Sequence, residues 1–334
     1  MAAAVVVLFT GCGPTPFTGK PGSSGKTLEM LVVATQGVYS GTTKQVIDSI
    51  FATPQVALNN PEPRFDLVHI TPSSFEDNSM FQSHRNLLIL DVSPQLENKI
   101  YLEQDKWSKP QIVIRITASD KRSLDSMLLV KNERLLYEYY NQEYRRMDKV
   151  FSEDPDIKIQ NKLKGKYGFA LSIPDEFALA KMREESDFTW ILKQTKDFDL
   201  HLYVYSRPAT GGSDFEQATI LDNLDTMLRR YVPGPSEGSY PGVERRVDSY
   251  SRDVVLADSI NAVETRGLWR TYNDFMGGPF VCYTFTLPES GKVYTLMGCV
   301  YSPSERNKMV MKRDLLMQLD GICRSIKLQK DITE

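Results

Sequence analysis

Short apolar runs separated by helical patterns dominate the first half of the chain and restrict its fold more than any other feature. Residues 28–34 are almost uninterruptedly apolar, as expected of a strand that is covered on both faces. Residues 42–52 follow a helical period that stops before Pro54. Further strand-forming runs occur at 65–70, 86–92 and 111–117. This order predicts an N-terminal α/β domain with a β-α-β unit over residues 27–155.

A long helical pattern closes this domain, from about residue 120 to residue 151. Its leucines and Tyr139 recur at helical spacing, and further tyrosines alternate with arginines. Such a mixture occurs on surfaces that stack single-stranded nucleic acid. However, 40 basic and 43 acidic side chains give a net charge of −3, which provides no basic field for nucleic acid. We therefore expect tyrosines that cover the sheet and the domain junction, and no nucleic-acid partner.

The second half, residues 160–330, is typical of an antiparallel sheet with helices. The predicted elements are strands at 167–174 and 262–272, a hairpin at 188–194 and 199–205, and helices at 215–231 and 308–326. Strands first and a docking helix last are typical of an α+β domain. The predicted fold class is α/β plus α+β, with an N-terminal layer containing β-α-β and a C-terminal antiparallel sheet packed with helices.

Two cysteines lie on the last predicted hairpin, whose strands are 281–287 and 293–299. If Ser290-Gly291 forms a two-residue turn, Cys282 lies directly opposite Cys299 in a non-hydrogen-bonded pair. The Cα atoms of such a pair are about 4.5 Å apart, which is within disulfide range. The pattern predicts cross-strand neighbours that can bridge in an oxidising compartment. The alternative is two reduced thiols in another register.

The first residues are typical of an export signal. Residues 2–10 form an apolar run that is too short to span a bilayer, which takes about 20 residues, but has the length of a signal-peptide core. The run ends in Phe9-Thr10-Gly11-Cys12, which is similar to the lipobox of bacterial lipoproteins. This similarity predicts a signal peptide over residues 1–11 and lipidation of Cys12 by palmitate-like acyl chains. A buried strand with an incidental cysteine is the alternative.

Residues 12–26 contain many Gly, Pro, Ser and Thr residues without periodicity, which is typical of a flexible tether. Two or more acyl chains on Cys12 anchor a protein firmly to a membrane. The early tether residues are not acidic, which favours a periplasm-facing anchor over surface display. The predicted partners are therefore the membrane, through the lipid anchor, and another envelope protein.

The sequence contains few residues suited to catalysis or metal binding. Its histidines are His69, His84 and His201, and none of them begins a His-Glu-x-x-His metalloprotease motif. No cysteines and histidines cluster at metal-ligand spacing, so we predict no metal and no cofactor. Residues 37–44 lie between a strand and a helix but lack phosphate-loop glycine spacing, which favours an ordinary turn. Cys323 is predicted to be a small core residue on a helix.

Some residues remain candidates for contact with a ligand or partner. They are His84, Arg85, Trp107, Asn273, Asp274, Gly277 and Gly278. His84 begins a predicted strand, where a role at the loop end is open. The paired glycines allow close backbone approach to another surface, and a strand-linking bulge or turn is the alternative. A ligand site between the domains would lie near Trp107 or Trp269.

Several segments together resemble a Bacteroidetes lipoprotein family known only as a domain of unknown function. These segments are 84–89, 105–111, 233–240 and 273–280. The resemblance implies an envelope lipoprotein and no activity. In addition, the order of a Gly-Phe-x-Leu-x-Ile-Pro strand, two hairpins and a final helix resembles the extrinsic photosystem II oxygen-evolving enhancer proteins. That likeness implies a fold and no function.

The sequence as a whole favours a membrane-anchored envelope lipoprotein with a non-catalytic role in protein binding or assembly. The first alternative is a module that binds a small molecule or lipid. A hydrolase whose site is assembled in space is the least favoured.

Overall fold

The computed structural model of the protein describes residues 19–182, 186–257, 259–303 and 310–328. These residues form a five-stranded mixed sheet and an eight-stranded antiparallel sheet, both packed with helices. The predicted fold class is confirmed. The predicted signal peptide and Cys12 lie outside the described residues. The end of the predicted tether contacts the folded chain, since Ser24 N–H donates to the Ser83 carbonyl at 2.9 Å.

The first half builds the mixed sheet. Its elements are β1 Glu29–Val33, α1 Gly41–Ile47 followed by a π-helical turn Asp48–Ala52, β2 Asp66–Ile70, α2 Pro72–Glu76, α3 Ser79–Gln82, β3 Asn86–Val92, β4 Lys99–Gln104, β5 Ile112–Ala118, α4 Lys121–Val130 and α5 Asn132–Glu153. The strand order is β2-β1-β3-β5-β4, with β4 antiparallel to β5 and the others parallel. Strand β4 was not predicted from the sequence.

Helices cover both faces of this sheet. On one face, Ile47 of α1, Leu124 of α4 and Tyr139 of α5 are buried against the apolar strand residues. On the other, Phe75 of α2 packs with Leu31 and neighbouring strand residues. Each such side chain stabilises the fold by about 1.5–3 kcal/mol when fully buried. Burial on two faces explains why these strands appear as continuous apolar runs.

The predicted long helix is interrupted. Helix α4 starts where the Asp120 side chain accepts the Ser123 N–H, and it ends at Lys131, whose φ is −106° and ψ is 9°. Helix α5 then continues to Glu153. Tyr139 is buried and its hydroxyl donates to the Leu87 carbonyl at 2.8 Å. Tyrosines therefore do cover the sheet, except for the exposed Tyr137.

The second half builds the antiparallel sheet. Its elements are α6 Ile157–Tyr167, β6 Phe169–Ala170, β7 Ala178–Met182, β8 Phe188–Gln194, β9 Asp199–Pro208, a 3₁₀ turn Gly212–Phe215, α7 Gln217–Tyr231, β10 Tyr240–Val243, β11 Tyr250–Leu256, β12 Ile260–Tyr272, β13 Gly277–Thr286, β14 Lys292–Tyr301, α8 Lys312–Arg324 and β15 Lys327–Leu328. The sheet order is β10-β12-β13-β14-β9-β8-β7, and β11 also pairs with β12. The β8–β9 hairpin is confirmed, but much of the strand predicted at 167–174 is absent.

The two faces of the antiparallel sheet carry separate apolar clusters. Helices α6 and α8 cover one face, where Leu163 and Leu319 are buried. Helix α7 covers the other face with Leu224 and Leu228. Helix α8 lies between this sheet and α5, so it contacts both halves. Cys323 is buried on α8, and its placement as a small core residue is confirmed.

A carboxylate from the first half caps the last helix of the second half. Glu62 is nearly buried and accepts the backbone N–H groups of Lys312, at 3.1 Å, and Arg313, at 2.7 Å. The Arg313 guanidinium returns to the first half and donates to Asp66 at 2.8 Å. Because the first N–H groups of a helix have no partner within the helix, Glu62 satisfies donors that burial would otherwise leave unpaired.

The predicted register of the cysteine hairpin is wrong. Cys299 pairs with Phe280, and Cys282 pairs with Met297, so the two cysteines are diagonal neighbours on one sheet face. The last pair of the hairpin is Thr286 with Val293, so six residues rather than two lie between paired positions, and the register moves by two positions. Diagonal Cα atoms lie about 7–8 Å apart, beyond the usual disulfide range. Both thiols are free and buried in the structure.

Candidate partner-binding site

His84 lies inside the fold and not at an exposed loop end. Its Nε2 lies 2.8 Å from Glu29 Oε1, and its Nδ1 lies 3.3 Å from the Asn86 backbone nitrogen. A Cβ atom at Gly25 would lie 2.3 Å from His84 Nε2, so only glycine fits there, and its φ is +95°. These contacts indicate a structural histidine.

Arg85 borders a buried polar cluster that fixes α5 to the beginning of β3. Arg146 donates to the Arg85 carbonyl at 2.6 Å and to Asn86 Oδ1 at 2.9 Å, and it pairs with Glu143 at 2.9 Å. Burial lowers the pKa of Arg146 to about 10, and Glu143 opposes that shift. The cluster joins residues about 60 positions apart in the sequence, so spacing alone does not predict it.

The two tryptophans proposed for an interdomain ligand site occupy different cores. Trp107 packs edge-on against Phe75 with ring centroids 5.3 Å apart, on the outer face of the first sheet. Trp269 lies on the α7 face of the second sheet, and its Nε1 donates to the Val300 carbonyl at 3.1 Å. Two clefts of about 520 and 620 Å³ occur on the described surface. Neither cleft is lined by Trp107 or Trp269.

Charged side chains fill the junction between the halves near α8. Asp320 accepts from Tyr144 of α5 at 2.7 Å, from Arg324 at 3.0 Å, and also from Tyr283 and Arg266. These residues, together with Glu264 of β12, are called the junction network below. Glu264 accepts from Arg266 at 2.7 Å and from Arg324 at 2.6 Å. Both carboxylates are almost fully buried.

The junction network holds its carboxylates in the ionised form. Burial raises the pKa of Glu264, but the neighbouring guanidiniums outweigh burial and lower that pKa below its ordinary value. The pKa of Asp320 is lowered in the same way against burial by Arg266 and Arg324. Burial and then Asp320 raise the pKa of Tyr144. A carboxylate kept ionised by arginines is a poor proton donor, so this arrangement suits structure better than acid–base chemistry.

The remaining sequence candidates meet at one end of the second sheet. Asn273 adopts a φ of +62° at the turn between β12 and β13, and its Nδ2 donates to the Gly238 carbonyl at 3.3 Å. The Ser236 hydroxyl donates to Asp274, whose Oδ1 accepts the Phe275 N–H at 2.7 Å. The turn 273–276 and the loop 233–240 form what we call the hairpin tip.

Close contacts within the chain account for the paired glycines. A Cβ atom at Gly277 would lie 2.7 Å from the Trp269 carbonyl oxygen. One at Gly278 would lie 2.0 Å from the Val300 carbonyl oxygen, which also accepts the Trp269 indole N–H. Such distances exclude any side chain at either position unless the backbone moves. The glycines lie within β13 and serve the close packing of strands, so they form neither the bulge nor the turn of the structural alternative.

Phe275 is the most exposed large apolar residue of the hairpin tip. Its side chain is 95% exposed, although its backbone N–H is held by Asp274. Tyr240 and Tyr272 stack beside the tip with ring centroids 5.2 Å apart, and Arg229 lies 4.8 Å above the Tyr240 ring. Asn273 and Asp274 were predicted contact residues, whereas Phe275 was not predicted from the sequence. The signal was present, as an aromatic residue within a short polar and Gly-rich turn.

Comparison with known proteins assigns no activity. A family model described as a domain of unknown function (DUF4837) matches residues 156–325, and another (DUF8532) matches residues 23–152. No curated protein matches the chain. The solved Ran-binding protein Mog1p of Saccharomyces cerevisiae is 9% identical with a TM-score of 0.31, over 48% of this chain and 90% of that chain. Mycobacterium tuberculosis LpqN, described as involved in cell envelope biogenesis, is 14% identical with a TM-score of 0.26, over 45% and 79%.

Across the ranges that the structure describes, no helix is both long and apolar enough to span a bilayer. The longest of them, α5, is strongly amphipathic, with its apolar side against the first sheet and α8. Within the same ranges, no group of three or more His, Cys, Asp or Glu residues is arranged to hold a metal ion.

Proposed function

We propose that this chain, which belongs to the DUF4837 family of unknown function, is a lipid-anchored envelope protein that binds another protein without catalysis. The proposed contact site is the hairpin tip. The observation that carries the proposal is the 95% exposure of Phe275 on a turn whose backbone is fixed. Bacteroidetes origin and likeness to the photosystem II proteins stay predictions.

Exposure of Phe275 on an ordered turn supports a binding role energetically. Transfer of a phenylalanine side chain from water into an apolar site contributes about 1.5–3 kcal/mol. Because hydrogen bonds from Ser236 and Asn273 already hold the turn, little backbone entropy is lost on binding. Tyr240, Tyr272 and Arg229 surround the tip, and aromatic residues and arginine are enriched in protein interfaces.

The junction network supports a non-catalytic role. It joins α5 to β12 and α8 through ionised carboxylates that are already paired with arginines. The Glu62 cap joins the halves at a second place. Two such attachments favour a rigid platform that presents the hairpin tip, rather than halves that close on a substrate.

The lipid anchor is the part of the proposal that concerns Cys12, outside the described residues. It is supported by the short apolar run and by the small residues before the cysteine. The test is metabolic labelling with an alkyne fatty acid, followed by membrane fractionation of the wild type and Cys12→Ser. We expect label and membrane association for the wild type only. Equal membrane association of both chains would contradict the anchor.

The binding role is tested by photo-crosslinking in intact cells. A photoreactive phenylalanine analogue at position 275 should capture a partner of defined mass. The control places the same analogue at Tyr137, which is exposed on α5 and lies outside the hairpin tip. Phe275→Ala should abolish co-purification of that partner and leave thermal unfolding unchanged, because the exposed ring packs against little. Identical adducts from positions 275 and 137 would refute the hairpin tip as a binding site.

A further inference from the structure

The outer edge of β4 is an unpaired strand edge. Strand β4 lies last in the order of the first sheet, and no described strand pairs with its second side. Its residues are all exposed, and Ile100, Tyr101 and Leu102 are between 37% and 46% accessible. The β4–β5 register is unbroken and β4 contains no proline, so neither a bulge nor a missing N–H group blocks this edge.

The pairing with β5 determines which backbone groups of β4 face outward. The Asp105 N–H donates to the Gln111 carbonyl at 3.0 Å, which makes this a hydrogen-bonded pair. Because bonding alternates along an antiparallel ladder, Lys99, Tyr101 and Glu103 also direct their backbone groups toward β5. The N–H and C=O groups of Ile100 and Leu102 therefore point away from the sheet.

The side chains of β4 are self-complementary. In antiparallel pairing about a two-fold axis at Tyr101, Lys99 lies opposite Glu103 of the second copy and Ile100 lies opposite Leu102. This register also joins the outward backbone groups of Ile100 and Leu102, so its two hydrogen-bonded pairs provide about four main-chain bonds. A two-fold axis at Leu102 would instead place Ile100 opposite the polar Gln104. The register at Tyr101 thus places opposite charges opposite each other and apolar side chains opposite each other.

We propose that β4 is a homodimerisation edge, which joins two copies of this chain into one continuous ten-stranded sheet. Its occupant is a second β4 in the register centred on Tyr101. The proposal is independent of the hairpin tip, which lies in the other half of the chain. It requires Lys99 and Glu103 to exchange their current partners, Glu97 at 2.5 Å and Lys106 at 2.6 Å. Both are exposed pairs of the kind that stabilise a fold little, so the exchange costs little.

The experiment is sedimentation equilibrium on the full-length chain, with Cys12→Ser in every sample so that acyl chains cannot drive association. Because an interface of this small size is weak, we expect a dimer with a Kd of about 10–100 μM. Lys99→Glu places two acidic residues opposite each other, and Glu103→Lys does the same with two lysines. Each should raise Kd at least about tenfold, because the two-fold axis repeats the repulsion.

Two further samples identify the register. An equimolar mixture of the Lys99→Glu and Glu103→Lys chains restores opposite charges at both positions, so it should form a heterodimer. The double variant that carries both substitutions should dimerise like the wild type. The control is Lys106→Glu, which has the same charge change as Lys99→Glu and removes the present partner of Glu103 but lies outside the paired segment. Its Kd should be unchanged.

The outcomes separate the proposal from its competitors. A chain that stays monomeric at several hundred micromolar has no such edge, and the proposal is then wrong. A dimer whose Kd is unchanged by both single charge reversals uses another surface, and this result would also refute the proposal. Leu102→Pro provides a backbone test, because it removes an outward N–H group and leaves the β4–β5 bonds intact. It should abolish the dimer while thermal unfolding of the monomer stays near that of the wild type.

Discussion

Replacement of Asp320 by asparagine is the most direct test of how the two halves are held together. Asp320 accepts hydrogen bonds from Tyr144, Arg324, Tyr283 and Arg266. An asparagine of the same shape keeps one acceptor oxygen and turns an NH₂ group toward some of these donors. The substitution therefore leaves buried donors unpaired and removes one of the two carboxylate charges that compensate Arg266.

The expected loss in the free energy of unfolding follows from the burial of Asp320 and from the carboxylate that remains beside the arginines. Removal of one member of a buried ion pair costs about 3–5 kcal/mol. Glu264 continues to accept from Arg266 and Arg324, which places the expected loss near the lower end, about 3 kcal/mol. This loss is a large fraction of the 5–15 kcal/mol that is typical of folded domains.

The assay is urea unfolding at pH 7, followed by circular dichroism, with the m-value used to check that the same surface is exposed. The matched control is Arg252→Gln, in the same network. The Arg252 side chain is 49% exposed, and it pairs with Glu264 at 3.0 Å, so its loss should cost at most about 1 kcal/mol. If Asp320→Asn and Arg252→Gln destabilise the protein equally, our account of the junction is refuted.

The pH dependence gives a second measurement of the same network. The folded pKa values of Asp320 and Glu264 lie below their ordinary values. Such groups stabilise the fold fully above their unfolded pKa values, about 4, and the contribution is lost as pH falls toward the folded values. Between pH 5 and the onset of acid unfolding, the free energy of unfolding should therefore fall by fewer kcal/mol in Asp320→Asn than in the wild type. A steeper loss in the variant would contradict this sign.

Three further predictions concern single residues. Glu62→Ala should lower the free energy of unfolding by about 1–2 kcal/mol in urea titrations, because it removes the cap of α8. Gly278→Ala should unfold the protein or sharply reduce its melting temperature, since a Cβ atom there would lie 2.0 Å from a carbonyl oxygen; Gly37→Ala, with open space around it, should not. Burial raises the pKa of Cys282 to about 12, so thiol reagents at pH 8 should modify it only after unfolding.

The buried strands and amphipathic helices could be predicted because burial leaves a periodic record in the sequence. Strands β1 and β3 are covered on both faces and appear as continuous apolar runs. Strand β4 lacks this record because its residues are all exposed, and only its pairing with β5 makes it a strand. Helix α6 was missed although Asp156 caps its beginning and Gly168 ends it with a φ of +80°. Local capping signals were present there and were overlooked.

The β13–β14 register and the junction network could not be predicted from the spacing of residues in the sequence. The hairpin prediction assumed a two-residue turn, and Leu287-Pro288-Glu289 extended it, with Glu289 at a φ of +61°. The junction network could not be predicted because Tyr144 and Asp320 are 176 residues apart. In the sequence, Tyr144 and Asp320 lie in helical segments whose charged residues are typical of solvent-exposed helix faces. Only the packing of α5 on α8 reveals them as buried partners.

The cap that Glu62 provides for α8 makes completion of the second half depend on the first. During synthesis the segment around Glu62 leaves the ribosome before Lys312, so the capping carboxylate is made before the helix that it caps. A fragment of residues 156–325 alone lacks Glu62, which caps α8, and Tyr144, which donates to Asp320. We therefore expect residues 156–325 alone to be less stable than the same residues joined to the first half.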